Sequence, residues 1–137
     1  MVAGNILKEE GLIIEEFTVK ANEDIEKGEI VYNDGNGILA ASTSAKGPFF
    51  MALKAHDYSE ETTHKVRCVV AGAGVVQKKG ASGGGKQGQY VEISATDGEV
   101  ALFDYATPGL FSDIVGTLLA DAADADTTAK VLLGHYP

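Results

Sequence analysis

The chain has no tryptophan, one cysteine, three prolines and one arginine in 137 residues. The single Cys68 excludes an internal disulfide and leaves the redox compartment open. Its setting, Val66-Arg67-Cys68-Val69-Val70, reads as a small buried apolar residue and not as a nucleophile. No window of about 18 apolar residues exists, and the N-terminus lacks the basic-then-apolar pattern of an export signal, so a soluble product without an obvious export route is expected. Basic side chains are scarce: 11 stand against 20 acidic ones, for a formal charge of -9. Neutralising phosphates requires clustered Lys or Arg, so neither direct nucleic-acid binding nor membrane association is expected. The acidic balance reads as a solvated surface.

Glycine, by contrast, is abundant. Seventeen of 137 residues are glycine, roughly double ordinary usage, and with few helical periodicities this points to a turn-rich β protein. The length allows one domain with a single core that needs no metal or disulfide. A hydrophobic fraction of 45% with 23% charge is ordinary for a globular chain and argues against disorder.

The chain is organised around a stretch that occurs twice. Phe50 to Val66 laid without a gap on Val115 to Val131, an offset of 65, shares Leu53/Leu118, Ala55/Ala120, Thr62/Thr127, Thr63/Thr128, Lys65/Lys130 and Val66/Val131. Upstream, Lys27-Gly28-Glu29-Ile30-Val31 answers Gln87-Gly88-Gln89-Tyr90-Val91, and Gly37 with Leu39-Ala40 answers Gly98 with Val100-Ala101. The expectation is two similar lobes within one domain: an arm and leading strand at 1–14, lobe one at 15–76, a flexible glycine-rich loop at 77–88 and lobe two at 89–137.

Within the lobes, Leu12 to Lys20 reads as a strand with one buried face, because Phe17 and Val19 alternate with Thr18 and Lys20. Asn33-Asp34-Gly35-Asn36-Gly37 between two apolar runs is a hairpin signal. Phe49 to Ala55 and Lys65 to Val70 read as strands, with small residues at Ala71 to Gly74 marking a bend. Asp113 to Ala125 has the composition of a helix capped by Ser112. The repeat overrules that reading, since its counterpart follows Pro48 and is too short and aromatic for a helix; strand then turn is expected.

No catalytic constellation emerges. Gly80 to Lys86 fits part of a phosphate-binding loop, but Gln87 stands where a magnesium-holding Ser or Thr is required and a strand follows where a helix is required. Gly72-Ala73-Gly74 lacks the third glycine of a dinucleotide fingerprint. His56, His64 and His135 meet no zinc spacing. Asp34 with Asn36, and Asp121, Asp124 and Asp126, read as solvated turns; twelve positions along from Asp34 stands Ala45, where a calcium loop needs a carboxylate. No Ser, His and Asp stand in an interpretable spacing. No catalytic, cofactor-binding or metal-ligating residue is assigned, no cofactor is expected, and the chain is not expected to be an enzyme.

The run Ala21 to Val31, the hairpin, Gly47 to Asp57 and the hydrophobic strand after a short polar excursion resemble the small capsid cement, or decoration, proteins of tailed bacteriophages and related viruses. The pattern returns at Gly88 to Val91 and Val115 to Leu133. The resemblance implies a mainly β fold, a compact β-barrel or β-sandwich built from two lobes behind an N-terminal arm. The Gly-Glu-Ile-Val turn is also similar to that of β-clip domains, so a β-clip or β-tulip-like topology stays open. It further implies a virion location on the capsid exterior, synthesis in the host cytoplasm, the major capsid protein as partner and a homotrimer. Val2, Ile6, Leu7 and Leu12 are the candidate contacts with capsid or a neighbouring subunit, as apolar residues beside a terminus. The alternatives are a small-ligand or carbohydrate-binding β-clip domain and a tail or spike component.

Overall fold

A computed structural model of the chain describes residues 2–105 and 111–134; His135 lies outside them. The chain is mainly β, as expected, with nine strands among the described residues: β1 (Ile13–Thr18), β2 (Ile30–Asn33), β3 (Ile38–Ala40), β4 (Phe50–Ala52), β5 (Lys65–Gln77), β6 (Tyr90–Ile93), β7 (Val100–Leu102), β8 (Ile114–Leu118) and β9 (Thr128–Leu133). One 3-10 turn, Phe111–Asp113, precedes β8. Residues 114–118 are strand and not helix, as the repeat requires.

The strands form one sheet in the order β3-β2-β4-β5-β9-β8-β6-β7, with β1 also on β5, curled into an open half-barrel. The 13-residue β5 serves both lobes. Its first half pairs with β1 and β4, and its second half pairs with β9. Gly134, just past β9, abuts Ala71, which is also the ladder partner of Ile13. The lobes therefore share a strand instead of being joined by a connector.

The duplication holds throughout this topology. Thr18 opposite Lys65 corresponds to Gln77 opposite Thr128, and the parallel bridge Val19 to Ile38 corresponds to Lys78 to Val100. The mutual backbone bonds of Ile25 and His56 correspond to those of Gly85 and Ala122. Even the two non-glycine residues with positive φ among the described residues, Asn22 and Ala81, occupy one repeat position.

The register, however, differs from the gapless offset of 65 read in the sequence. His56 matches Ala122 and His64 matches Thr127, so the polar excursion holds seven residues in lobe one and four in lobe two. The offset is 66 before the excursion and 63 after it. The shared Thr-Thr-x-Lys-Val identities consequently sit two positions apart in space, and in β4 and β8 the overlay is one residue out, which exchanges sheet faces.

Residues 78–88, expected as a flexible loop, correspond to 19–28 and are tied into lobe two. Gly83 N–H donates to Asp124 Oδ1 at 2.7 Å, Gln87 N–H donates to Asp121 Oδ1 at 2.9 Å, and Gly85 pairs with Ala122. A loop with its amides committed in this way has no free backbone ends to fluctuate independently.

One core unites the lobes. Ile30, Phe49, Met51 and Val69 from the first pack with Val91, Val115, Leu118 and Val131 from the second. A smaller cluster under β1 and β3 contains Val19, Ile38, Phe50 and Val66, with Phe17 stacked on Phe50 at 4.6 Å. Where lobe one places the large Ile25 and Phe50, lobe two places Gly85 and Gly116, and each lies too close to a neighbour to carry a side chain. A Cβ on Gly116 would stand 2.3 Å from Leu132 O, and one on Gly85 would stand 2.6 Å from Leu118 Cδ1. Interiors fill at near-crystalline density, so glycine in one lobe compensates for bulk elsewhere.

Candidate functional site

The N-terminal residues are stitched to β5 as an extra edge strand. Gly4 N–H donates to Val75 O at 2.6 Å, Val75 N–H donates to Asn5 O at 2.9 Å, and Leu7 N–H donates to Ala73 O at 2.9 Å. Gly4 and Gly28 interlock beneath this strand. Gly28 has φ +86, and a Cβ there would lie 2.5 Å from Ala3 Cβ and 2.7 Å from Gly4 N.

This arrangement leaves apolar side chains facing out. Val2 is 58% exposed, Ile6 38%, Leu7 36% and Ile13 51%. Ile6 sits opposite Gly74 and Ile13 opposite Ala71, so both lie beside the midpoint of β5. Leu12 does not share this exposure; it crosses β5 at Gly72 and packs against the main core. Ile13 joins this patch although the sequence does not mark it as one of the arm's contacts. Its place at the start of an edge strand was the available signal.

β1 supplies open backbone beside this patch. Val19 N–H donates to His64 O, so residues 15, 17 and 19 face β5, and 14, 16 and 18 point their N–H and C=O groups away. Past Thr18 that outer edge meets β3, where Val19 bridges Ile38 and Lys20 N–H donates to Ile38 O, and along residues 14–16 no strand pairs with it among the described residues. The duplicate edge, on the second half of β5, is the one closed by the arm. Exposed Glu15 and Glu16 mark β1 as an edge guarded by charge.

Other titratable groups are engaged within the fold. Buried His56 contacts Glu61 Oε2 through Nδ1 at 2.9 Å and His64 Nδ1 through Nε2 at 3.1 Å, while Tyr58 stacks on His64 at 3.7 Å. The two histidines thus meet, which their spacing of eight did not reveal, and they close the base of the longer excursion. Cys68 is sealed inside, and burial pushes its thiol up to about 12. Asp34 accepts from Lys20 Nζ at 2.5 Å and from Asn36 N–H at 2.9 Å, and these bonds hold its carboxyl below the usual range. The Gln87 N–H bond does the same for Asp121. Asp126 accepts from Ala123 N–H at 2.8 Å. These aspartates cap turns, and among the described residues no group of His, Cys, Asp or Glu is placed to hold a metal ion.

Two charged residues, Lys78 and Glu29, are buried. Lys78, only 4% exposed, takes the place of Val19 in the repeat and donates to the carbonyls of Lys79, Asp124 and Asp126 at 3.2, 3.1 and 3.4 Å. Glu29 lies at the wall of a recess of about 550 Å³ whose lining also includes Glu26, Asp97, Glu99, Tyr32 and Gln77. Burial pushes its carboxyl up to about 7; the negative charges of Glu26, Asp97 and Glu99 act in the same direction, against a hydrogen bond from Glu26 N–H. The Glu29/Gln89 difference inside the upstream echo was the visible sign of both the shared role and the extra charge.

No family model and no curated protein matches the chain. Solved structures do. The chain is similar to one in the capsid of Myoviridae phage XM1, with a TM-score of 0.65 and 15% identity over 100% of this chain and 92% of that one. It is also similar to the N base of head fiber gp8.5 in bacteriophage phi29, with a TM-score of 0.55 and 16% identity over 88% of this chain and 94% of that one. The likeness is one of fold, and it includes the curled β architecture as a whole.

Proposed function

We propose that the chain is a structural protein of a phage virion, one that binds the outer surface of the assembled capsid and stabilises it. The observation that carries this reading is the likeness of fold to a chain of a phage capsid over the full length of this chain, joined by the likeness to a head-fiber base. The exposed apolar residues along the arm and at Ile13, beside the open edge of β1, supply the contact surface. Apolar side chains lose water against the coat subunit, and the outward N–H and C=O groups of residues 14 and 16 offer it backbone partners.

Reinforcement then follows from repetition. Each bound copy bridges neighbouring coat subunits through a modest contact, and many such contacts must break together before the shell opens. A homotrimer at three-fold positions fits this mode of action. A structural role is in keeping with a sealed Cys68, a His56 engaged by His64 and Glu61, and aspartates that cap turns. Purified chain mixed with undecorated capsids and sedimented tests the reading. Saturable co-sedimentation is expected, at a copy number tied to the symmetry positions, and a chain that stays in the supernatant at every concentration would overturn it.

A further inference from the structure

Glu29 and Gln89 hold the same repeat position, before β2 and β6, and do the same local work. Each Oε1 accepts from the backbone N–H three residues earlier, Glu26 or Lys86, at 2.8 Å. Each backbone N–H donates to the carbonyl of that same residue, at 3.2 and 3.0 Å. In lobe two a neutral amide therefore suffices.

What differs is the cover. The turn between β6 and β7 lies over Glu29: a Cβ on Gly98 would stand 2.5 Å from Glu29 Oε2. Gly98 joins the lobes by backbone bonds, accepting from Ile30 N–H and donating to Ala41 O, both at 2.9 Å. Asp97 and Glu99 flank Gly98. Glu26, Glu23 and Asp24 approach from the turns before β2, Tyr32 from β2 itself and Gln77 from the end of β5, and no lysine, arginine or histidine lines the recess. Gln77 Nε2 donates to Glu26 Oε2 at 3.4 Å and to Lys27 O at 3.0 Å, leaving Glu29 without it.

We propose that Glu29 is a proton-operated clasp between the lobes: neutral, it seats the Gly98 turn on β2 and β3 as an amide would; ionised, it repels Asp97 and Glu99 and loosens that turn. A buried carboxylate among like charges favours its neutral form, and the changeover for Glu29 falls at about 7. The native state keeps this proton up to about 7, while the unfolded chain releases it at the ordinary value of 4.5. Its contribution to stability is therefore fully present below 4.5 and is lost as pH rises through about 7.

The test compares the full chain with Glu29→Gln by chemical denaturation between about pH 5.5 and pH 8, with hydrogen exchange at the Gly98 and Ile30 amides corrected for intrinsic rate. The wild-type folding constant is expected to fall on the order of 25-fold more than that of Glu29→Gln across this window. The two amides lose protection in wild type alone. Parallel profiles for the two proteins would overturn the proposal. Carboxyl NMR of the wild type decides the matter even if the variant does not fold: titration of Glu29 near its ordinary value overturns the clasp, and a midpoint near neutrality that falls in Asp97→Asn/Glu99→Gln supports it.

Discussion

Deleting the arm should destabilise the protein as well as weaken its contacts. Residues 4–7 make three backbone hydrogen bonds to β5 and seat Ala3 and Gly4 against Gly28. At about 1 kcal/mol net for each bond, removal of residues 1–8 costs about 3 kcal/mol. For a domain of this length that corresponds to a fall of about 12 °C in Tm. The contrasting variant is Val2→Ser/Ile6→Thr/Leu7→Gln, which keeps every backbone bond. Those side chains are 58%, 38% and 36% exposed, so about half of each burial energy is still available to a partner, roughly 1 kcal/mol apiece. The triple variant gives up the half already buried in the fold, about 1 kcal/mol apiece, so its Tm should fall by about 12 °C, and it should lose on the order of a hundredfold in capsid affinity. Circular dichroism melts and capsid co-sedimentation read the two quantities separately. A deletion that leaves Tm unchanged refutes the stitched arm; a triple variant that binds as wild type refutes the apolar contact.

Three further outcomes follow from the packing. Gly28→Ala places a Cβ at 2.5 Å from Ala3 and forces a side chain into φ +86, which should cost about 2 kcal/mol in a urea melt. Lys78→Val, which copies the lobe-one residue, takes the ammonium from three carbonyls, of which Lys79 O and Asp124 O keep Ser82 Oγ and Ala81 N–H as donors; a loss of about 1 kcal/mol is expected, and an equally stable variant would show the bonds to be incidental. Cys68, buried and with its thiol pushed up to about 12, should resist a disulfide-exchange probe at pH 8 until the chain unfolds, so prompt labelling of native protein would contradict the sealed core.

The strands, the hairpin and the duplication were legible because alternation, turn residues and a recurring Gly-x-x-Val motif all survive at the scale of a few residues. The true register was not. A three-residue difference in the excursion between His56 and His64, against Ala122 and Thr127, is invisible to a gapless overlay. The chance Thr-Thr-x-Lys-Val match then outweighed it. Nor could the sequence reveal that β5 is shared, because small residues at 71–74 mark a bend equally well in one long strand or between two. Leu12 looked like its arm neighbours in composition, yet crossing β5 at Gly72 turns it inward. Glu29 and Lys78 became informative only when the fold supplied their surroundings: the Gly98 turn over one and the carbonyls of residues 79, 124 and 126 around the other.

The heat resistance of the shell is the most direct measure of the proposed role. Phage capsids assembled without decoration should be heated with and without saturating chain, and their disruption followed by light scattering. Decorated shells are expected to open at a higher temperature, with the gain rising with occupancy and shrinking for Val2→Ser/Ile6→Thr/Leu7→Gln. Shells that open at the same temperature whether or not the chain is bound would contradict it.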